Sequence, residues 1–588
     1  MRFKGLTLKV QIVSLFLKSS YAKVVPAFLH NTGQLLLGSR FFRTWYIFSL
    51  SLIIVSLPFS KVGISIGQMM IAGGWVMERF PYRRFFDYLN SKSGFLAFLT
   101  FIPLAIFLML VAILQGFRQF FSQKAAMIFS SIFILHLAGL IFTTDFDYAG
   151  KDLRTKLPLL LLPLLIATSE PFDRKGFYYL LVLFAATVLC RTLYNGFLIL
   201  HDQFIDIREV SRNVSHIILS LLIVLSICSL IYLSFRNSCF PLWLRWIFRL
   251  TAGWFLFYLF YSQSFTGISI LVILFLLFLL LQIIHTRNNW LRAGLILAVL
   301  AASTTLVLSL RSVVLDYYRV NPVDFKRLDK VSSRGNPYLN DSLSRLTENG
   351  NYLWIYVQME EMREVWNKRS TIPFDSLSKK KEVCAFTVIR FLSSKGWRKD
   401  GDAVERLTEA EIGAIEKGVP NYLFIGNLSL RARIYEFLSG FDTYRETGNP
   451  TGSTVMQRVE FWKASLGIIR EHWLTGVGTG DMNIAFDREY ERMQTKLAPD
   501  QRWRSHNQFL SILVGFGIPG LAWFLFAIFY PWYLRGYRYD FFMNLFLLIA
   551  LLSMLTEDTI ESQTGVTFFA FFYTLFLFAR SREDRLFK

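Results

Sequence analysis

The sequence predicts an all-α polytopic membrane protein of about twelve transmembrane helices, with a large, mostly helical external loop before the last three. Three observations predict it. Of 588 residues, 53% are hydrophobic and 17% aromatic, and only 18% are charged, against about a quarter in an ordinary soluble domain. The apolar residues gather into runs close to the ~20 residues that a helix needs to cross a bilayer. The basic excess lies in the short connectors rather than in the long polar insertion. Residues 311–504 hold 30 Lys and Arg against 26 Asp and Glu, a net of +4, while the remainder holds 33 against 16, a net of +17. Lys and Arg retained on the inner side of a membrane produce that distribution. A nucleic-acid surface would gather them on one soluble face. Disorder is excluded by the apolar content. The four cysteines (Cys190, Cys228, Cys239, Cys384) form no CxxC or Cys/His cluster, so neither a disulfide scaffold nor a structural zinc site is expected.

Residues 1–43 carry seven Lys and Arg and no acid, and read as a cytoplasmic, interfacial segment. A first bundle follows over 44–310. Its apolar runs lie at about 44–60, 62–79, 95–114, 125–143, 157–168, 177–200, 214–234, 243–262, 264–285 and 291–310, and three more follow at 507–531, 541–556 and 564–580. Backbone polar groups must be satisfied within each segment in the absence of water, so the runs should be helices. Thirteen crossings would put the two basic ends on opposite sides, so either one of 62–79, 95–114 or 157–168 fails to cross or the amino terminus is outside. Arg236, Arg245, Arg249, Arg287, Arg292, Arg535, Arg538 and Arg580 then mark the cytoplasmic side, as does the tail 581–588. The outer side receives 201–215, 262–267, 311–506 and 556–565.

The insertion 311–506 is too long to be an unstructured loop. Apolar spacing near 351–368, 380–393, 403–417 and 457–471 predicts amphipathic helices. The candidate chemistry lies where this cap returns to the membrane, which favours a lid over a site at membrane level.

The most informative stretch is 453–520. It reads Arg458-Val-Glu-Phe-Trp462, then Trp473-Leu-Thr-Gly-Val-Gly-Thr-Gly480, then Ser505-His-Asn-Gln-Phe-Leu510, then Gly515-Phe-Gly-Ile-Pro-Gly520 opening an apolar helix. In order and spacing it resembles the O-antigen ligase/polymerase family of membrane glycosyltransferases. The stretch Leu153-Arg-Thr-Lys-Leu-Pro-Leu-Leu-Leu-Leu-Pro163 also looks like a segment of bacterial members. The resemblance implies a multi-pass protein of the bacterial inner membrane whose large loop and active site face the periplasm. It implies metal-independent, inverting transfer without a cofactor, from an undecaprenyl-diphosphate-linked glycan to a lipid A–core hydroxyl. A polymerase or a protein O-oligosaccharyltransferase would use the same residues. A lipid-linked oligosaccharide transporter would instead show inverted repeats and mid-membrane charges.

The residue types suit that chemistry. The leaving diphosphate gains negative charge, and a guanidinium in a dry site can stabilise it. The acceptor is a sugar hydroxyl, and a neutral imidazole can take its proton near pH 7. The resemblance makes His506 the general-base candidate and Arg458 the matching cation. The plain alternatives are a solvated histidine at a helix start and a solvated charge beside Glu460. Asn507 orients the histidine or acceptor, or simply caps a helix. The 476–480 turn either presents N–H groups to an anion or only reverses the chain. Family members often carry a Ser-Arg pair at an external helix end. Here Phe265 stands in the arginine's place. A second cation is therefore sought among Arg212, Arg208, Arg154 and Lys156, for each of which interfacial anchoring is the alternative. Glu557, Asp558 and Glu561 form an external acidic cluster that could orient His506 or pair with an arginine.

Overall fold

The computed structural model describes residues 39–91, 94–201, 210, 214–236, 239–378, 383–425, 430–537 and 540–580. These residues are overwhelmingly helical, and the chain is an all-α polytopic membrane protein. Seven helices among the described residues are long and apolar enough to cross a membrane: Phe98–Ser122, Lys124–Phe142, Arg174–Ile199, His216–Phe235, Phe265–His285, Asn289–Tyr318 and Gln508–Leu534. Polar side chains start several helices by accepting a free backbone N–H, as N-caps do. Ser60 caps the helix Lys61–Arg79, Asp540 caps Phe541–Met554 and Ser562 caps Gln563–Phe578.

The chain divides into two compact units. The first comprises residues 1–271, 461–493 and 502–588. Its centre is the helix Gln563–Phe578, in which every residue from Thr564 to Phe578 is buried. An apolar helix of this kind, with no polar face, belongs inside a bundle. Close packing rather than water exclusion holds helices together in lipid. Here Tyr573 stacks on Phe129 with ring centroids 4.0 Å apart, and Phe572 meets Phe184 edge-on at 4.8 Å. The Tyr573 hydroxyl donates to the Ile528 carbonyl at 2.6 Å. Just beyond its end, Arg580 pairs with Asp540 at 2.6 Å, with its guanidinium 4.9 Å from the centre of the Phe177 ring.

The second unit comprises residues 272–460 and 494–501. A small folded core surrounds Trp366, Phe374, Phe391 and Ile415, all fully buried. Its helices include Met359–Arg369, Cys384–Ser394 and Glu409–Glu416, the last opened by a capping box between Thr408 and Glu411. A two-stranded hairpin pairs Thr347 with Tyr352. The Arg390 guanidinium and the Asn421 amide both donate to the buried Glu348 carboxylate, at 2.9 and 2.6 Å. The helix Asn289–Tyr318 buries none of its residues. Thirty residues of this composition could not stand exposed in water, and lipid is the surrounding that suits them.

Candidate functional site

The segment 502–508 turns from the polar insertion into the membrane helix Gln508–Leu534. His506 holds a left-handed backbone, φ 44°. That conformation costs a non-glycine residue roughly 1–2 kcal/mol, and it persists only where neighbours fix it. The neighbours do so here. The Trp462 indole N–H donates to the Ser505 carbonyl at 3.1 Å, and the Tyr490 hydroxyl donates to the Trp503 carbonyl at 2.6 Å. Asn507 caps the helix, accepting from Leu510 N–H at 3.1 Å, and its amide donates to the Leu555 carbonyl at 2.9 Å. The His506 ring lies near Phe461 and Trp503, with centroids 5.6 and 6.1 Å away. Its Nδ1 is buried without a hydrogen bond and points to the Glu557 carboxylate at 3.5 Å. The ring is 32% exposed, so it is neither sealed in the bundle nor fully in solvent.

The three acids of 556–561 look alike in sequence, but the turn Thr559–Glu561 sends them to different partners. Glu557 faces His506. Asp558 accepts from the Ser511 hydroxyl at 2.8 Å, with the Ser505 hydroxyl at 3.5 Å. Burial, reinforced by the Glu561 charge, pushes the Asp558 carboxyl above the usual range. Glu561 receives the Lys156 ammonium at 2.8 Å, the Arg504 guanidinium at 3.3 Å and the Gln508 amide at 3.1 Å. Burial alone would raise its pKa, but the Lys156 and Arg504 charges overcome burial and hold it well below the usual carboxylate range. Lys156 also meets Asp152 at 2.5 Å, and Arg504 meets the Tyr148 hydroxyl. Burial would lower the Lys156 pKa, but Glu561 and Asp152 outweigh it and raise it. A buried ion pair is tolerated only when such partners satisfy it.

The sequence-predicted residues therefore separate. His506, Asn507, Glu557, Asp558, Glu561 and Lys156 come together. Lys156 is 1% exposed and its charge is neutralised within the protein. Arg154 lies on the same helix, Phe146–Lys156, but on its exposed side. Phe265 is exposed at the first position of the helix Phe265–His285. Arg208 and Arg212 lie outside the described residues. Arg458 is half-buried in the second unit, on the helix Thr454–Glu471, which continues into the first unit.

The 476–480 turn has no N–H left for an anion. Gly476 donates to His472, Val477 to Val514, Gly478 to Gly515, Thr479 to Gly139 and Gly480 to the Thr143 hydroxyl. The turn docks on a break in Gln508–Leu534, where Gly517 takes φ 65° and ψ −169°. Gly476 is itself at φ 68°, and a Cβ there would come within 2.2 Å of the Gly515 carbonyl carbon. The two glycine motifs thus interlock. They are spaced for close backbone approach, not for phosphate. Beside them Asp481 accepts from the Thr144 and Asp145 N–H groups at 2.8 and 2.9 Å, tying the turn to 143–145.

Sequence reasoning passed over Arg504, Asp152, Tyr148, Gln508 and Ser511. A signal existed for three of them. Arg504 stands two residues before His506, and Gln508 and Ser511 fall at one- and four-residue steps from Asn507, on the first turn of the helix.

No curated protein matches the chain. Residues 419–525 match the family model described as O-Antigen ligase. That stretch contains Arg458, the interlocked glycines and His506. Members of the family are glycosyltransferase-like enzymes with lipid-linked glycan substrates in a membrane. Over residues 419–525 the chain is thus similar to the O-antigen ligase/polymerase family.

Proposed function

We propose that the protein is an O-antigen ligase-type glycosyltransferase of the bacterial inner membrane, with about twelve crossings and its site facing the periplasm. It moves a preassembled glycan from undecaprenyl diphosphate to a hydroxyl of the lipid A–core. One observation carries this reading. A half-exposed imidazole is held in a strained backbone at the mouth of a membrane helix, with its Nδ1 turned to a carboxylate. Glu557 then sets the tautomer, leaving Nε2 to take the acceptor hydroxyl's proton. The hydroxyl oxygen attacks the anomeric carbon from the face opposite the diphosphate. The bond from that carbon to the diphosphate oxygen breaks, the anomeric configuration inverts, and the diphosphate leaves with the bonding electrons. No metal is required for these steps.

Arg458 is the proposed cation for the leaving group. It precedes Phe461 and Trp462 by three and four residues within the stretch that matches the family model. Phe461 and Trp462 are the residues that contact His506 and the Ser505 carbonyl. The test is His506→Ala in cells, with the surface polysaccharide separated on a gel. Loss of the lipopolysaccharide ladder at normal protein level, with long lipid-linked polymer accumulating, is expected. A normal ladder refutes the assignment. A single repeat unit on lipid A–core would indicate a polymerase instead.

A further inference from the structure

The end of the bundle opposite His506 holds a cleft that the proposed transfer does not use. The helix Gln563–Phe578 starts two residues after Glu561 and finishes two residues before Arg580. At that finish the Phe172 N–H donates to the Ala579 carbonyl at 2.6 Å. The helix Lys61–Arg79 runs the same way. Gln563 donates to Ser65 near its start at 2.8 Å, and at its finish the Arg79 guanidinium donates to the Thr168 carbonyl at 2.6 Å. At this far end Phe42, Arg43, Tyr46, Glu78, Glu170 and Phe172 line a cleft that encloses about 30 Å³. That is room for a group no larger than one or two waters.

The lining combines ring faces with charges of both signs. The Tyr46 and Phe172 rings stack with centroids 5.4 Å apart. The Tyr46 hydroxyl is buried and makes no hydrogen bond among the described residues. Arg43 donates to Glu170 at 3.2 Å, but the two side chains are 40% and 69% exposed, so the pair is held by no more than about 1 kcal/mol and opens readily. Glu78 has Arg79 at 3.4 Å. The two arginines and two glutamates sum to zero charge. Acids are unusual at this end. The stretch 235–262 is brought alongside by the Phe240 ring, 5.8 Å from Tyr179. It holds Arg236, Arg245 and Arg249 and no acid, as a membrane-retained connector does.

We propose that this cleft binds the phosphoethanolamine headgroup of a membrane phospholipid. The primary ammonium enters between Glu78 and Glu170 and donates to the Tyr46 hydroxyl, where the ring faces add their attraction. Arg43 turns from Glu170 to the lipid phosphate, which its planar fork suits. The headgroup is a zwitterion with no net charge, and so is the lining. A trimethylammonium is too large for the space and has no N–H to donate. The site is independent of the reading given under Proposed function, and its failure would leave that reading standing.

The experiment uses the purified full chain in non-ionic detergent, with phosphatidylethanolamine of defined acyl chains as the probe. Binding should saturate and raise the midpoint of thermal unfolding. Phosphatidylcholine and phosphatidylglycerol of the same acyl chains should bind roughly tenfold or more weakly, the loss of a charge-assisted contact. Equal binding of either would make the contact one with bulk lipid and overturn the proposal. Free phosphoethanolamine should compete only at far higher concentration; competition at equal concentration would assign the cleft to a soluble amine and overturn the lipid. Glu78→Gln combined with Glu170→Gln should weaken phosphatidylethanolamine roughly tenfold or more while phosphatidylglycerol binds as before or better. Unchanged binding of phosphatidylethanolamine overturns the proposal. Should the double variant unfold early without lipid, Tyr46→Phe decides alone. It keeps the stacked ring, removes one oxygen and should weaken binding several-fold, and unchanged binding there is equally fatal.

Discussion

The two ends of the buried helix Gln563–Phe578 carry ionic groups of similar kind in different arrangements. Beyond Phe578, Arg580 meets Asp540 at 2.6 Å, and the rings of Phe177 and Tyr537 cover the pair. Before Gln563, Glu561 is shared by Lys156, Arg504 and Gln508, Asp558 is raised by burial, and His506 stands 3.5 Å from Glu557. The first arrangement is a clasp. The second joins a knot of ion pairs to a half-exposed imidazole whose Nδ1 makes no hydrogen bond. The knot holds the chain at residue 504, two residues before the imidazole, and such support is what the proposed role of His506 requires.

The largest expected effect is at the knot. Glu561→Ala leaves two buried cations without their shared acceptor and should cost about 3–5 kcal/mol, read as a fall in the thermal midpoint together with lost activity. Asp540→Asn keeps the helix cap but removes the charge facing Arg580. It should cost about 2 kcal/mol while activity per folded molecule stays the same. An equal loss of specific activity in both variants would erase the distinction between the two ends.

Glu557→Gln sharpens the distinction within the site. It should lower kcat by about 10- to 100-fold, as the loss of a base's orienting partner does. KM should stay close to its original value, and stability should change by less than about 0.5 kcal/mol. A variant with unchanged kcat would leave Glu557 without a role in orienting the histidine.

The smallest effect concerns pH. Glu561 is depressed in the folded protein, so its contribution is complete above the ordinary carboxyl value of about 4.3 and is lost only as pH falls through its own lower value. Lys156 is raised, so its contribution is present below the ordinary lysine value and is lost as pH climbs through the raised one. The knot should therefore hold across the neutral range. Asp558 has the opposite sign from Glu561. Its contribution is present at low pH and lost as pH rises through its raised value. Asp558→Asn should remove that small decline from the thermal midpoint measured against pH. A decline that persists in this variant must come from another group.

The sequence shows the fold class because lipid demands apolar runs, and no other rule is as strict. It shows the region of His506 because three motifs precede one apolar helix. Other features depend on geometry the sequence does not contain. Glu557, Asp558 and Glu561 are equivalent in composition, and only the turn Thr559–Glu561 gives them different partners. Lys156 looks like an interfacial anchor until Asp152, one helical turn earlier, and Glu561, from the far end of the chain, enclose it. The amides of 476–480 look available to an anion until the carbonyls of His472, Gly139, Val514 and Gly515 and the Thr143 hydroxyl are seen to use them. Arg191 is visible as one charge in the run 177–200, but its packing against Phe59 appears only once the neighbouring helix is in place.

The break at Gly517 has a consequence for biogenesis. The helix Gln508–Leu534 does not close its own hydrogen-bond ladder. Ile518 donates to the Trp473 carbonyl at 2.8 Å, and the Val514 and Gly515 carbonyls accept from Val477 and Gly478, each at 2.9 Å. A segment made about 37 to 45 residues earlier in synthesis must be waiting beside the helix as it enters the bilayer. Until that segment arrives, a nascent chain would expose bare peptide groups to hydrocarbon, so insertion of this helix and docking of the preceding turn form a single assembly step.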